Sequence, residues 1–410
     1  LLSRSEDAIA AYKRVLSEYP SDAGADEVLH RLGYCHYQNK RWDEASEVLR
    51  ELWESHPSSP WADSALYRLG WIRLQKGAYA DALEYFRILR EKSAEGLYAE
   101  QALYQEGVCR YRLHDFAGAG AAYAEVLKKF PQGPLTERAL LESGWTFAAE
   151  GKDKEAAAAF EKFLKQFPSA PAVPQALFWM GEDGRRRMDY AAAEGFFDRL
   201  VREHPRSDLA DDALYSWAVG LARSGRHDDA TRILHRLLDE YPSSDLVADA
   251  RFAVAENEAA LKHYAEAIKL FNRILSDGGE NARAKETAMR IADCQFARGA
   301  FARALDGYAK LADADDAFVA AQARFKKAIA WEAMGETGEA KSDLLEVLYG
   351  RGSRKPWADK AALRLGEIFE REGRMQDALT LYEHLLEAGG RGDEADAARE
   401  RVEQLKRGGF

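Results

Sequence analysis

The chain has 410 residues, of which 47% are hydrophobic and 31% charged, the composition of a folded protein and not of a disordered one. Its formal net charge of -11 argues against a general nucleic-acid binder, whose affinity rests on Lys and Arg neutralising phosphates. No apolar run approaches the roughly 18–20 residues that span a bilayer, and three cysteines exclude a disulfide framework.

In chain order, Leu1 to Asp7 carries neither a signal peptide nor a lipidation site. A helical face begins at once, with Ala8, Tyr12 and Val15 at i, i+4 and i+7. The same trio returns 37 residues later as Ala45, Leu49 and Leu52. The alanine then recurs at Ala82, Ala119, Ala156, Ala193, Ala230, Ala267 and Ala304, and with slight drift at Ala340 and Ala378. A fixed period of this length predicts a solenoid, in which each unit is stabilised mainly by its neighbours.

Twelve residues before the alanine stands a second small residue: Gly33, Gly70, Gly107, Gly144, Gly181, Ala218, Ala255, Ala292, Ala328 and Gly366. A side chain no larger than a methyl at a fixed point predicts close approach of two helices, which offsets the roughly 1 kcal/mol that a helical Gly costs against Ala. Each unit therefore reads as helix A, around the small residue, followed by helix B, around the marker alanine. Between them the chain is expected to turn through a left-handed residue: Gly77, Gly151, Gly225, Gly299, Gly335 and Gly373, or Lys40, His114, Met188 and Lys262.

Helix B is expected to stop at Pro20, Pro57, Pro131, Pro168, Pro205 and Pro242, since proline biases the preceding residue away from helix. The Ser or Asp that follows, as in Pro57-Ser58-Ser59, offers a side-chain cap to the next helix A. Three junctions lack the proline: Ser93-Ala94-Glu95-Gly96, Asp277-Gly278-Gly279-Glu280 and Ala312-Asp313-Ala314-Asp315-Asp316. Residues 1–20 read as a helix B without its A, residues 21–391 as ten A–B pairs, and residues 392–407 as a charged capping helix, in one solenoid over 1–410. An array that starts inside a unit is expected to be the C-terminal part of a longer protein.

This pattern of small residue, alanine twelve later, aromatic and terminal proline resembles the tetratricopeptide repeat family. The unit is 37 residues where the family standard is 34, with the extra length between the proline and the next helix A. Segments such as Tyr241-Pro242-Ser243-Ser244-Asp245 are similar to the longer repeats of bacterial envelope proteins, of the Tol-Pal coordinator and outer-membrane assembly lipoprotein type. The resemblance implies an all-α fold, a right-handed α-solenoid of about ten helix-turn-helix repeats.

Catalytic and metal motifs are missing from the sequence. Gly118-Ala119-Gly120 falls inside a helix B, Gly389-Gly390-Arg391-Gly392 is an inter-repeat turn, and no His-Glu-x-x-His pair occurs. Cys35, Cys109 and Cys294 share one slot, two residues after the small position, with Ile72, Thr146 and Ile368, so they read as packing residues. No cofactor is expected.

The resemblance implies that helix A lines a concave groove, with the first and fourth residues after the small one pointing into it. Those positions are aromatic early, at Tyr34, Tyr37, Trp71, Tyr111 and Trp145, and acidic late. Arg112, Arg185, Arg186 and Arg223 form a basic segment between them, with Asp183 and Asp189 available to neutralise Arg185-Arg186-Arg187. Aromatic and Arg side chains are enriched in protein interfaces; the same rings can equally fill the helix contacts and bind nothing. Tyr67, Tyr104, Phe178, Tyr215, Phe252 and Phe325, three before the small residue, read as core.

The expected function is a non-catalytic scaffold that binds segments of partner proteins in this groove, in a bacterial envelope or motility complex. Its expected place is the periplasm or envelope, with the cytoplasm as the alternative. Two other readings stay open: a building block that assembles with itself into a larger ring or machine, and the recruitment module of an enzyme whose catalytic domain lies outside this stretch.

Overall fold

A computed structural model of the chain describes residues 2–19, 24–277, 283–350, 355–390 and 392–409. Pro20, the Gly278-Gly279-Glu280 junction and Arg391 lie outside the described residues. The fold is an all-α solenoid: among the described residues there are twenty-two helices and no strand. Backbone contacts divide the chain into two compact units, Leu1–Leu209 and Ala210–Phe410.

The first unit opens with α1 (Leu2–Glu18). Its helix pairs are α2 (Ala25–Gln38) with α3 (Trp42–Ser55), α4 (Ala62–Gln75) with α5 (Tyr79–Lys92), and α6 (Ala99–Arg112) with α7 (Phe116–Lys129). Two more follow: α8 (Thr136–Ala149) with α9 (Asp153–Gln166), and α10 (Val173–Arg186) with α11 (Tyr190–Glu203). The second unit pairs α12 (Ala210–Arg223) with α13 (His227–Glu240), α14 (Val247–Ala260) with α15 (Tyr264–Asp277), and α16 (Ala284–Ala297) with α17 (Phe301–Ala312). It ends with α18 (Ala317–Ala333) and α19 (Thr337–Tyr349), α20 (Trp357–Arg371) and α21 (Met375–Glu387), then α22 (Asp393–Arg407).

Each A helix ends in the same hydrogen-bonded cap. After α2, the Lys40 N–H donates to the Tyr37 carbonyl and the Arg41 N–H to the His36 carbonyl, both at 3.0 Å. The residue between must be left-handed, and it is so at the non-glycines Lys40, His114, Met188 and Lys262 (φ 57 to 65°) as at the predicted glycines. The turn is three residues long, which fixes where the first side chain of B lies relative to the last turn of A.

Upstream of the prolines the B helices stop two residues short, as α7 does at Lys129 before Phe130-Pro131. The capping expectation needs correction. None of the A-helix N-caps Trp61, Tyr98, Leu135 or Leu246 makes a side-chain cap. Instead Ser59, Ser207 and Ser244 accept the N–H two residues on, from Trp61, Leu209 and Leu246. The serine thus shapes the turn before the helix, because the extra residues of the long unit hold it a turn away from the helix's own free N–H groups.

The small slot is explained by a ring. A Cβ built on Gly107 would stand 2.6 Å from Tyr123 Cε1, on Gly144 2.6 Å from Phe160 Cε1, and on Gly181 2.5 Å from Phe197 Cε1. Helix A carries a bare α-carbon so that the large residue of helix B can lie flat on it. Leu49, Phe86, Tyr123, Phe160 and Phe197 are all fully buried in this way, and Ala45, Leu52 and Phe271 are fully buried beside them on the B helices.

Candidate protein-binding surface

The clearest surface constellation lies on the A helices of the first unit. Tyr34 and Tyr37 sit one turn apart on α2, and Tyr34 is 40% exposed. From α4, the Arg68 guanidinium lies over both rings, 4.8 Å from the Tyr34 centroid and 5.7 Å from that of Tyr37. Tyr37 meets Trp71 edge-on at 5.2 Å and Trp42 at 5.6 Å, and the two indoles are 5.5 Å apart. Beside them His30 stacks on Trp61 at 4.4 Å and shares a 2.8 Å hydrogen bond with Ser64 Oγ. Burial together with the Arg68 and Arg31 charges holds the His30 imidazole at a pKa of about 4.

Tyr34, Tyr37 and Trp71 are therefore brought together, with Tyr37 in contact with Trp71 and linked to Tyr34 through Arg68. Sequence reasoning missed Trp42, Trp61, His30 and Arg68. A signal for Trp42 existed: the start of helix B is the fifth residue on from the fourth position after the small one, and both are aromatic in Tyr37/Trp42, Tyr111/Phe116 and Phe296/Phe301. All three pairs are in ring contact, at 5.6, 5.4 and 5.3 Å. Such contacts add about 0.5–1.5 kcal/mol beyond the area they bury.

The other predicted residues are placed differently. Trp145 joins a separate group, edge-on to the buried Phe160 at 4.9 Å, with Trp179 tilted against the same ring at 4.8 Å. Arg112 is exposed and faces Glu142, a carboxyl whose pKa burial raises while Arg112 and Arg138 pull it back. Arg185 forks onto Glu182 at 3.0 and 2.6 Å. Arg186 reaches Asp183 at 3.2 Å, and Arg187 reaches it at 2.9 Å. Asp183 is only 1% exposed and needs those partners. The expectation that Asp189 shares this task is corrected: Asp189 is the N-cap of α11 and accepts the Ala192 N–H, while Glu182 neutralises Arg185 and Asp183 the other two arginines. Arg223 is exposed at the end of α12, in the second unit.

The acidic positions of the second unit are paired across repeats. Glu332, its side chain 8% exposed, accepts from Arg364 Nε at 2.8 Å and Arg371 Nη2 at 2.6 Å. Asp293 accepts from Lys326 Nζ at 2.6 Å and from the Tyr308 hydroxyl at 2.8 Å. Tyr104 and Phe252 are buried and Tyr67, Phe178, Tyr215 and Phe325 half-buried. Four of these six rings touch the ring of helix B sixteen residues on from the small slot, as Tyr104 touches Tyr123 at 5.7 Å.

Cys109 and Cys294 are buried, with thiol pKa values pushed up by burial to about 12 and about 11; Cys35 is half-buried. Among the described residues no group of three or more His, Cys, Asp or Glu is placed to hold a metal ion. Among the same residues no helix is long and apolar enough to cross a membrane.

Tetratricopeptide repeat family models match residues 3–69, 60–96 and 361–398. Residues 3–96 and 361–398 are thus tetratricopeptide repeats, and the helix pairs, their caps and the small-slot packing repeat the same pattern through the described residues between them. Between them, residues 95–273 match the YfiO family, described as an outer membrane lipoprotein. No curated protein matches. Among solved structures the chain is similar to a tetratricopeptide repeat protein from Parabacteroides merdae (19% identity, 65% of this chain and 98% of that one, TM-score 0.41). It is also similar to Naa15/Naa10 bound to HypK-THB (14%, 93% and 62%, 0.44) and to pilF of Pseudomonas aeruginosa (18%, 57% and 96%, 0.39). Repeats of this family imply a protein-interaction scaffold.

Proposed function

We propose that the chain is a non-catalytic scaffold that holds an extended or helical segment of a partner protein against the A-helix face of its first unit, in a bacterial envelope complex. The observation that carries this reading is the Tyr34–Arg68–Tyr37–Trp71 cluster. Rigid rings and a planar guanidinium, part-exposed and already held by one another, lose little side-chain entropy on binding. The match of residues 95–273 to an outer membrane lipoprotein family supports the envelope setting.

The test is capture of partners from the native organism with the wild type and with Tyr34→Ser plus Trp71→Ala. The double variant is expected to lose its specific partner while keeping its helical content. Unchanged capture would move the binding surface elsewhere, and recovery of the partner only from the cytosolic fraction would overturn the envelope setting.

A further inference from the structure

The aromatic cluster of the first unit has an incomplete counterpart in the second, six repeats on. There Glu256 stands where Tyr34 stands, Ala259 where Tyr37 stands, Tyr264 where Trp42 stands, Arg290 where Arg68 stands, and Asp293 where Trp71 stands. These residues surround a cavity of about 230 Å³, floored by Phe271 and Cys294. Its volume falls below the roughly 300–1,000 Å³ of small-molecule sites, and suits one inserted side chain.

What fills this slot elsewhere identifies the occupant. In the first unit the space between helix B's first ring and the arginine of the next A helix is occupied by Tyr37, with Trp42 at 5.6 Å and Arg68 at 5.7 Å. Ala259 removes that ring but keeps both of its neighbours, the aromatic Tyr264 and the cationic Arg290. The other two alanines at this position face polar residues at the start of helix B, Ala148 with Asp153 and Ala222 with His227.

The charges on the rim are already satisfied. Arg290 pairs with Glu256 at 2.9 Å, and Asp293 is held by Lys326 and Tyr308. A cation from a partner would find no free carboxylate here, whereas an aromatic ring would gain Tyr264 on one side and a guanidinium on the other.

We infer that the Ala259–Tyr264–Arg290 cavity receives a Phe, Tyr or Trp side chain from a partner protein segment, supplying the ring that Tyr37 supplies internally in the first unit. The inference rests on the scaffold reading and names an anchor point for it.

The test is selection of a displayed random-peptide library on the full chain, followed by binding of the selected peptides to variants. Peptides held at the cavity are expected to share one aromatic residue and to lose binding when that residue becomes Ala. They are expected to lose it also on Ala259→Tyr, which fills the slot from within, and on Arg290→Ala, which leaves the slot open and removes the guanidinium. Thermal melts of both variants confirm folding. Selected peptides that lack an aromatic residue, or that bind Ala259→Tyr and Arg290→Ala as well as the wild type, would overturn the inference. Failure here with partner capture still dependent on Tyr34 and Trp71 would remove this pocket alone; loss of that dependence as well would remove the scaffold reading.

Discussion

Gly107 carries the ring of Tyr123 on its bare α-carbon: a Cβ added there would lie 2.6 Å from Cε1 and 2.8 Å from Cζ. The equivalent pairs Ala255 with Phe271 and Ala292 with Tyr308 share their core clusters, so the slot can adapt to one methyl group. It cannot adapt to a branched side chain without displacing the ring. Gly107→Val is expected to lower stability by about 1–3 kcal/mol, the usual cost of overpacking. Urea unfolding followed by circular dichroism measures it, and an unchanged midpoint would remove the packing role given to this glycine.

Met188 occupies a left-handed conformation (φ 59°) with its side chain 75% exposed. An L-residue pays for that conformation with roughly 1–2 kcal/mol, while glycine adds flexibility to the unfolded chain worth about 0.4–1 kcal/mol. Met188→Gly is therefore expected to raise the melting temperature, and Gly225→Ala (φ 81°) to lower it. Opposite signs from two similar turns make the pair a stringent comparison by calorimetry.

Acid is expected to weaken the first unit. The folded site holds His30 near a pKa of about 4, against 6.5 for a free imidazole. Between those values the unfolded chain binds a proton that the folded chain rejects, so stability is full above pH 6.5 and falls as the pH drops towards 4. Buried His36, its ring nitrogens without hydrogen-bond partners, has its pKa lowered by burial and acts in the same direction. Urea midpoints at pH 7.5 and pH 5 measure the loss. His30→Asn with His36→Asn should flatten the difference; an undiminished slope in that double variant would assign it to other groups.

Glu332 ties α18 to the middle and the C-terminal end of α20 through Arg364 and Arg371. Replacing it with Gln keeps the shape and removes the charge on which two guanidinium groups converge. The expected loss is about 1.5–3 kcal/mol, the range for hydrogen bonds to charged groups. Part of it should vanish in molar salt, because both arginines are partly exposed. A cost that salt leaves untouched would point to packing and not charge.

Much of this fold was legible because each repeat restates the same local rules. The left-handed residues Lys40, His114, Met188 and Lys262 were found by their register with glycines, although none looks like a turn residue alone. The core rings were read the same way, and so were the buried thiols of Cys109 and Cys294. The candidate surface was harder. Tyr34, Tyr37 and Trp71 could be chosen from one strip of helix A, but their partners Trp42 and Arg68 belong to other helices. Asp183 was read correctly as a partner of the arginines, whereas Asp189 was not and Glu182 was overlooked. Each lies close enough to the arginines in sequence, and only the three-residue turn decides that Asp189 faces the next helix instead. The serines after the prolines misled because each stands two residues before the N-cap, so its hydroxyl reaches the N–H of the N-cap residue and none in the helix's first turn.

The long polar links share one reach. The Glu100 carboxylate accepts the Leu135 N–H, Asp293 holds Lys326, and Glu332 holds Arg371, each passing from one repeat to its successor. A chain stitched in this way resists tension as a row of similar clasps, because each link must open before the next is loaded. Pulled at its ends, it is expected to give way in increments of about one repeat and to re-form each as the force relaxes. A partner seated across several repeats would bind those clasps together, and would stiffen the protein where it sits.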